Sequence, residues 1–148
     1  IDRLGAERVA QTMATYGAAG MVVRRGVEDG KAFARGLNNT ATAAGFHAIL
    51  RAIAEKRAVS PAASEAMTAI LARQHFRAGL PAGVPPGTVV AHKTGTITAI
   101  HHDGGIVFAP RPYVLVVLTR GFPDEQASDA LIASVSRLVY DFVTTTAR

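Results

Sequence analysis

Apolar positions in the first half of the chain recur with helical spacing. The opening segment places Leu4, Val9 and Met13 near one face of a helix. The segment 24–39 that follows has three glycines and no sustained period, so it is predicted to be an ordered loop. A second helix, capped by Thr40 or Thr42, carries apolar residues at i, i+3, i+4 and i+7, namely Phe46, Ile49, Leu50 and Ile53.

A third helix is predicted to begin after Ser60, because a capping hydroxyl there precedes Pro61 at the first helical position. The stripe predicted to be buried on this helix comprises Met67, Ile70 and Leu71. The stretch 80–87 then contains three prolines and two glycines, which disfavour regular structure. We predict an irregular linker there.

After residue 87 the pattern changes to that of strands, predicted over 88–94, 105–109 and 113–119. The short connection 110–112 makes the last two strands antiparallel. The continuous apolar run Val114–Leu118 predicts that both faces of the third strand are covered.

A final helix is predicted over 124–142, with acidic residues at its positive N-terminal end. Its apolar stripe comprises Ala127, Leu131, Val135, Leu138 and Phe142. The predicted fold is therefore α+β. It has a helical part over 1–87 and a sheet part over 88–148, in which three antiparallel strands are backed by the terminal helix.

The composition is that of a chain with a packed core, since 49% of the 148 residues are hydrophobic and 18% are charged. The net charge is +5, but basic residues are scattered and their longest run is Arg24-Arg25, which disfavours a nucleic-acid partner. Cysteine is absent, which excludes disulfides and thiolate metal sites. The longest apolar stretch is too short to span a bilayer, so we expect no membrane insertion.

The segment His92-Lys93-Thr94-Gly95-Thr96 places a charge, a hydroxyl and a glycine where a strand runs out. Lys93 can supply positive potential, Thr94 a hydrogen bond, and Gly95 lets a ligand approach the backbone. A backbone N–H just beyond the glycine can face a developing oxyanion. Such an edge suits an anionic, amide-like substrate.

The order of elements around this segment resembles the C-terminal half of class A β-lactamases and their penicillin-binding relatives. Residues 36–43 and 91–95 also look like that family, and the resemblance covers essentially the whole chain. It implies a β-lactamase-like fold and a serine hydrolase that works through an acyl-enzyme on β-lactam or related amide and ester substrates. It also implies export to the periplasm or the medium.

The resemblance implies roles for four residues. Lys93 would supply positive potential and take part in proton relay, Thr94 would bind the substrate carboxylate, and Gly95 would complete the Lys-Thr-Gly motif. The Thr96 backbone N–H would form half of the oxyanion hole. We expect no cofactor.

The family's other two motifs, Ser-x-x-Lys and Ser-Asp-Asn, do not occur in these 148 residues. Because the chain opens within a predicted helix and without methionine, we expect a piece of a longer polypeptide. One hypothesis is a companion N-terminal chain that supplies both motifs. The other is a non-catalytic module or a homo-oligomer of this fragment.

Two departures from the family pattern affect the expected substrate. The loop glutamate that would activate the deacylating water could be Glu28, but no asparagine stands four residues after it. The expected arginine after the Lys-Thr-Gly strand is replaced by Asp103-Gly104-Gly105, and Arg120 could substitute for it. A penicillin-binding peptidase or an esterase on the same fold therefore stays open.

A metal site is disfavoured, although His92, His101, His102 and Asp103 lie close in the sequence. Adjacent residues of an extended chain point to opposite faces, so His101 and His102 cannot easily bind one ion. Residues His47 and His75 each adjoin a phenylalanine on a helical segment, which favours packing or surface positions. The glycines at 30, 36 and 45 are too widely spaced for a phosphate-binding loop.

Overall fold

The computed structural model describes residues 3–18, 20–122 and 124–145. Its helices are α1 (Ala6–Thr15), α2 (Gly30–Ala34), α3 (Ala43–Ala54), α4 (Pro61–Leu71) and α5 (Glu125–Thr145). Its strands are β1 (Val90–Ile97), β2 (Ile100–Val107) and β3 (Tyr113–Arg120), which form an antiparallel sheet in the order β1-β2-β3. The predicted α+β class is confirmed. The chain divides into two compact units, residues 1–49 and 50–148.

The first unit contains α1, α2 and the start of α3. Leu4 lies in a turn before α1 rather than within the helix, and Ile1 and Asp2 lie outside the described residues. The predicted loop 24–39 is partly helical, since it contains α2, whose first turn is capped by the Asp29 carboxylate accepting from the Ala32 N–H at 2.9 Å.

Asn39 organises the rest of that loop by accepting from the N–H groups of Arg24 and Arg25 at 2.9 and 3.2 Å. Of the two predicted caps, Thr42 is the one that caps α3, because its hydroxyl accepts from the Gly45 N–H at 3.0 Å. Thr40 instead forms an isolated antiparallel bridge with Val22.

The predicted start of the third helix is confirmed: Ser60 accepts from the Ala63 N–H at 3.1 Å and Pro61 is the first residue of α4. Its buried stripe is different from the prediction, because Ile70 is 62% exposed. The fully buried side chain of α4 is Ser64, whose hydroxyl bonds both the N–H and the C=O of Ala58. The hydrogen bonds between Ser64 and Ala58 therefore determine which face of α4 points inward.

The stretch 80–87 is only in part the irregular linker that was predicted: residues 84–87 lie in a bend and a turn, whereas residues 80–83 do not. Residues Leu80–Gly83 form a short 3-10 helix, and Leu80 is fully buried in the core. The core cluster comprises Leu80, Val84, Val90, Val107, Ala109 and Ile132. Prolines and glycines here allow a tight turn that packs between the sheet and α5, rather than an exposed connection.

The first two strands are longer than predicted and meet in a two-residue turn, Thr98-Ala99. The ladder runs without interruption from Val90 opposite Val107 to Ile97 opposite Ile100. Ala99 adopts a φ of 54°, a left-handed conformation that a turn this short requires. Residues 95–97 and 100–104, predicted to lie outside the strands, are therefore part of the sheet.

The final helix packs through a different face from the predicted one. Its fully buried residues are Ser128, Ile132 and Ser136, whereas Leu138 and Phe142 are 70% and 69% exposed. The reason is close approach: a Cβ on Gly83 would lie 2.2 Å from the Ala133 carbonyl oxygen and 2.6 Å from the Ser136 Cβ. Only small side chains fit where α5 meets Gly83.

The third strand is also less covered than predicted. Residues 114–118 are all half-buried rather than enclosed on both faces. Within the described residues of the second unit, α5 packs against β2 and β3 on one face of the sheet. That face also carries the side chains of Val90, His92, Asp103 and Val107.

Candidate active site

The Lys-Thr-Gly segment lies on β1, which is an edge strand among the described residues. The N–H of Phe108 donates to the carbonyl of Val89 at 3.0 Å, and these two residues continue the β1–β2 register. Because hydrogen-bonded and non-bonded pairs alternate in an antiparallel ladder, odd-numbered β1 residues face β2 with their peptide groups. The peptide groups of His92, Thr94 and Thr96 therefore point to the outer edge.

Lys93 is exposed, and its Nζ donates to the carbonyl oxygen of Thr94 at 2.5 Å. This contact agrees with an outward-facing Thr94 carbonyl. Gly95 lies opposite His102, and a Cβ built on Gly95 would meet only the His102 Cβ, at 4.0 Å. The bare backbone at Gly95 leaves the outer edge open to a ligand.

The side chains of Thr94 and Thr96 lie on the sheet face opposite Lys93, as strand alternation requires. Thr94 stands opposite Asp103 and Thr96 opposite His101 in the register. The Thr96 hydroxyl donates to Glu125 Oε1 at 3.4 Å, so α5 holds the end of the strand by its side chain. The Thr96 N–H stays directed to the outer edge.

A buried histidine–carboxylate contact, which sequence reasoning missed, lies beneath the start of the motif. His92 Nδ1 lies 2.9 and 3.1 Å from the two carboxylate oxygens of Asp103. Asp103 Oδ2 also accepts from the Leu80 N–H at 2.9 Å. The signal that could have found the pair is the hairpin register, which puts residues 92 and 103 on one face.

Further along the same face, His101 is buried and its Nδ1 lies 4.0 Å from Glu125 Oε1. Neither ring nitrogen of His101 has a hydrogen-bond partner among the described residues. Burial raises the pKa of Asp129, with a further rise from the charges of Glu125 and Asp103 and an opposing effect from His101. A row of ionisable groups therefore runs under β1.

The histidines are distributed as strand alternation predicts: His101 is buried and His102 half-buried, and His102 Nδ1 accepts from the Thr119 N–H at 3.1 Å. Within the described residues, no group of three or more His, Asp or Glu could hold a metal ion. His47 and His75 are exposed.

Two further candidates, Glu28 and Arg120, lie outside the Lys-Thr-Gly strand in the sequence. Glu28 is exposed and belongs to the first unit, whereas Lys93 belongs to the second. Asp29, the residue after Glu28, caps the first turn of α2. Arg120 is exposed at the end of β3, opposite Ile100.

The five serines of the chain have structural surroundings. Each hydroxyl bonds a backbone group of a neighbouring turn or of its own helix; the residues are Ser60, Ser64, Ser128, Ser134 and Ser136. None is followed by lysine three positions later. No helix within the described ranges is long and apolar enough to cross a membrane.

Comparison with known proteins shows which family this chain resembles. The model of the beta-lactamase enzyme family matches residues 1–143. A curated relative, extended-spectrum beta-lactamase PER-1 of Pseudomonas aeruginosa, is 38% identical in an alignment over 68 residues that covers 40% of this chain and 22% of PER-1. The aligned part is therefore a small share of that protein.

Solved structures are similar over almost the whole chain. A PBP-A variant described as an acyl-enzyme complex with penicillin G is 28% identical with a TM-score of 0.86, over 98% of this chain and 54% of that one. A beta-lactamase from Sphaerobacter thermophilus is 25% identical with a TM-score of 0.86, over 98% of this chain and 56% of that one. The chain thus spans about half the length of these relatives. With a family model that matches nearly all of its residues, this chain belongs to the beta-lactamase enzyme family.

Proposed function

We propose that this chain carries the Lys-Thr-Gly part of a serine hydrolase active site that acts on β-lactam or related amide and ester substrates through an acyl-enzyme. The nucleophilic serine would come from a Ser-x-x-Lys segment that is not among these 148 residues. That segment and the Ser-Asp-Asn motif belong, in this proposal, to an N-terminal half, joined to this chain or supplied as a companion.

The observation that carries the proposal is the direction of the peptide groups on β1. The outward N–H of Thr96 offers a fixed donor, and a fixed donor aimed at a developing oxyanion stabilises a tetrahedral intermediate. The second donor would be the amide of the nucleophilic serine. Lys93 would supply positive potential beside it and help to move the proton of the serine hydroxyl.

Substrate binding follows from the same edge. In this proposal Thr94 binds the substrate carboxylate, and Gly95 admits the scissile group to the backbone. The penicillin G acyl-enzyme of the PBP-A variant supports β-lactams as the first substrates to test. Arg120, exposed at the far end of β3, is the candidate second anchor for a carboxylate.

The proposal is tested on the protein that joins this chain to its serine-bearing half, identified first by native mass. A fluorescent penicillin should label that protein covalently, and Lys93→Ala should abolish labelling. The matched control is Lys56→Ala, which removes an exposed ammonium whose partner, Glu65, lies 2.6 Å away in the same unit. Absence of labelling in the unsubstituted protein would refute the proposal, and a mass made only of identical chains would favour a non-catalytic module.

A second candidate is a penicillin-binding peptidase or esterase, favoured by the similarity to PBP-A. The two candidates differ after acylation. A β-lactamase releases the hydrolysed penicillin rapidly, whereas a peptidase-like enzyme keeps the label for a long time. The lifetime of the fluorescent adduct, with and without Glu28→Gln, separates them and tests Glu28 as the base that activates water.

A further inference from the structure

The His92–Asp103 pair is the most completely buried polar contact beside the motif. His92 is 0% and Asp103 1% exposed, and both carboxylate oxygens lie within 3.1 Å of His92 Nδ1. Asp103 also binds the Leu80 N–H at 2.9 Å. The pair therefore joins β1 to β2 and both to the 3-10 helix.

The fold makes room for this pair at two glycines. A Cβ on Gly79 would lie 2.6 Å from Asp103 Oδ2, and a Cβ on Gly105 would lie 2.6 Å from the His92 Cβ. At neither position is there space for a side chain larger than that of glycine. The backbone on two sides thus presses against the pair and limits where each ring and carboxylate can lie.

Stability alone is a weak reason for such a pair. A buried ionisable pair costs desolvation, and well-packed apolar residues of similar volume are often as stabilising. What hydrogen bonds add over apolar contacts is direction, because they hold atoms at a set distance and angle. The direction held here is that of the residue immediately before Lys93.

The outer edge of β1 has no strand partner among the described residues, so the rotation of β1 depends on β2, on α4, which packs against β1, and on side chains of the sheet face that α5 covers. His92 is the buried polar side chain of β1 on that face. We infer that the His92–Asp103 pair is a positioning device that refines this rotation: the β1–β2 ladder turns the Thr94 and Thr96 peptide groups to the outer edge, and the pair fixes the angle at which they point. This inference rests on the proposed function.

The contacts also assign the tautomer. Nδ1 faces two carboxylate oxygens and carries the proton as donor. Nε2 is buried and has no hydrogen-bond partner among the described residues. A proton on Nε2 would be a buried donor without an acceptor among the described residues.

The test compares His92→Asn, whose side-chain N–H can replace Nδ1–H, with His92→Leu, which has no donor. We expect His92→Leu to lower the second-order rate of penicillin acylation at least tenfold at a temperature where it is fully folded. His92→Asn should recover the rate to within about threefold. The control is His75→Leu, at an exposed histidine of the same unit.

Acylation of His92→Leu at the unsubstituted rate would overturn the inference and leave the proposed function intact. If the unsubstituted protein is not acylated, the proposed function fails, and the amide ¹⁵N and ¹H shifts of Thr94 and Thr96 decide the inference. They should move in His92→Leu and return in His92→Asn. Shifts that stay in place in both variants would overturn it.

Discussion

The hydroxyl of Ser136 donates a hydrogen bond to the carbonyl oxygen of Leu80 at 2.8 Å, and both residues are fully buried. The two are 56 positions apart in the sequence. The N–H of Leu80 is bound by Asp103 on β2. One residue of the 3-10 helix is therefore tied to α5 through its C=O and to the sheet through its N–H.

Replacing Ser136 by alanine should lower the free energy of unfolding by about 1–2 kcal/mol, because it leaves the buried Leu80 carbonyl without a donor. Denaturant unfolding followed by circular dichroism measures the change. The matched control is Ser134→Ala on the exposed face of the same helix, where the hydroxyl only bonds Ala130 of its own backbone. Equal effects of the two substitutions would contradict the structural role of Ser136.

Tyr113 should make the fold sensitive to alkali. Burial, with smaller effects from Tyr140 and Asp141, raises the pKa of Tyr113 from its ordinary value of 10.0 to about 12. The folded state thus keeps the phenol proton that the unfolded chain loses, so the free energy of unfolding should fall as pH rises from 10 to 12. Denaturant unfolding across that range measures the slope.

The comparison for Tyr113 is Tyr113→Phe, which removes a buried hydroxyl that has no hydrogen-bond partner among the described residues. We expect the variant to be at least as stable at pH 7 and to show a shallower decline above pH 10. A decline as steep as that of the unsubstituted chain would assign the alkaline sensitivity to other groups.

Asp129 should make the free energy of unfolding depend on pH in the acidic to neutral range. Its pKa is raised by burial first, then by Glu125 and Asp103, so its proton binds more tightly in the folded state than in the unfolded state. The stability it adds is present below the unfolded pKa and is lost as pH rises through the folded pKa. Asp129→Asn should therefore raise the free energy of unfolding at pH 7 and change it little at pH 3; a loss at pH 7 would contradict this.

Thr96→Pro tests the proposed role of the Thr96 N–H as an oxyanion donor. Proline removes the outward N–H of Thr96 and no β1–β2 ladder bond, so the strand should persist at this edge. We expect acylation by penicillin to fall by about 10²–10³. Thr96→Val keeps the N–H and should lose far less, and comparable losses in the two variants would argue against a backbone donor.

Local signals in the sequence predicted local structure well. Ser60 and Pro61 predicted the start of α4, and Thr42 was one of two predicted caps for α3, because a cap depends on residues only three positions apart. The first hairpin was missed because its turn, Thr98-Ala99, has none of the residues that favour φ > 0. Pairing with β3 and packing on α5 outweigh the poor turn.

The packed face of α5 could not be read from hydrophobicity. The apolar stripe that includes Leu138 and Phe142 is exposed, while Ser128 and Ser136 are buried where the helix meets Gly83. For the candidate site, the resemblance predicted Lys93 to Thr96, and their roles stay a prediction. The contact between His92 and Asp103 was not predicted, because only the hairpin register, which pairs His92 with Gly105 and Asp103 with Thr94, puts the two side chains on one face.

Odd- and even-numbered residues of β1 point their peptide groups in opposite directions. The length of the turn between β1 and β2 is therefore constrained during evolution. Hydrogen bonds to β3 fix which peptide groups of β2 face β1. Inserting or deleting one residue at Thr98-Ala99 would therefore turn β1 by half a turn about its own axis. The Thr96 N–H would then enter the ladder and Lys93 would exchange faces with His92. Homologous chains can vary the side chains at 94 and 96 or lengthen the turn by two residues, whereas a single-residue change there should survive only where the outward amide is no longer used.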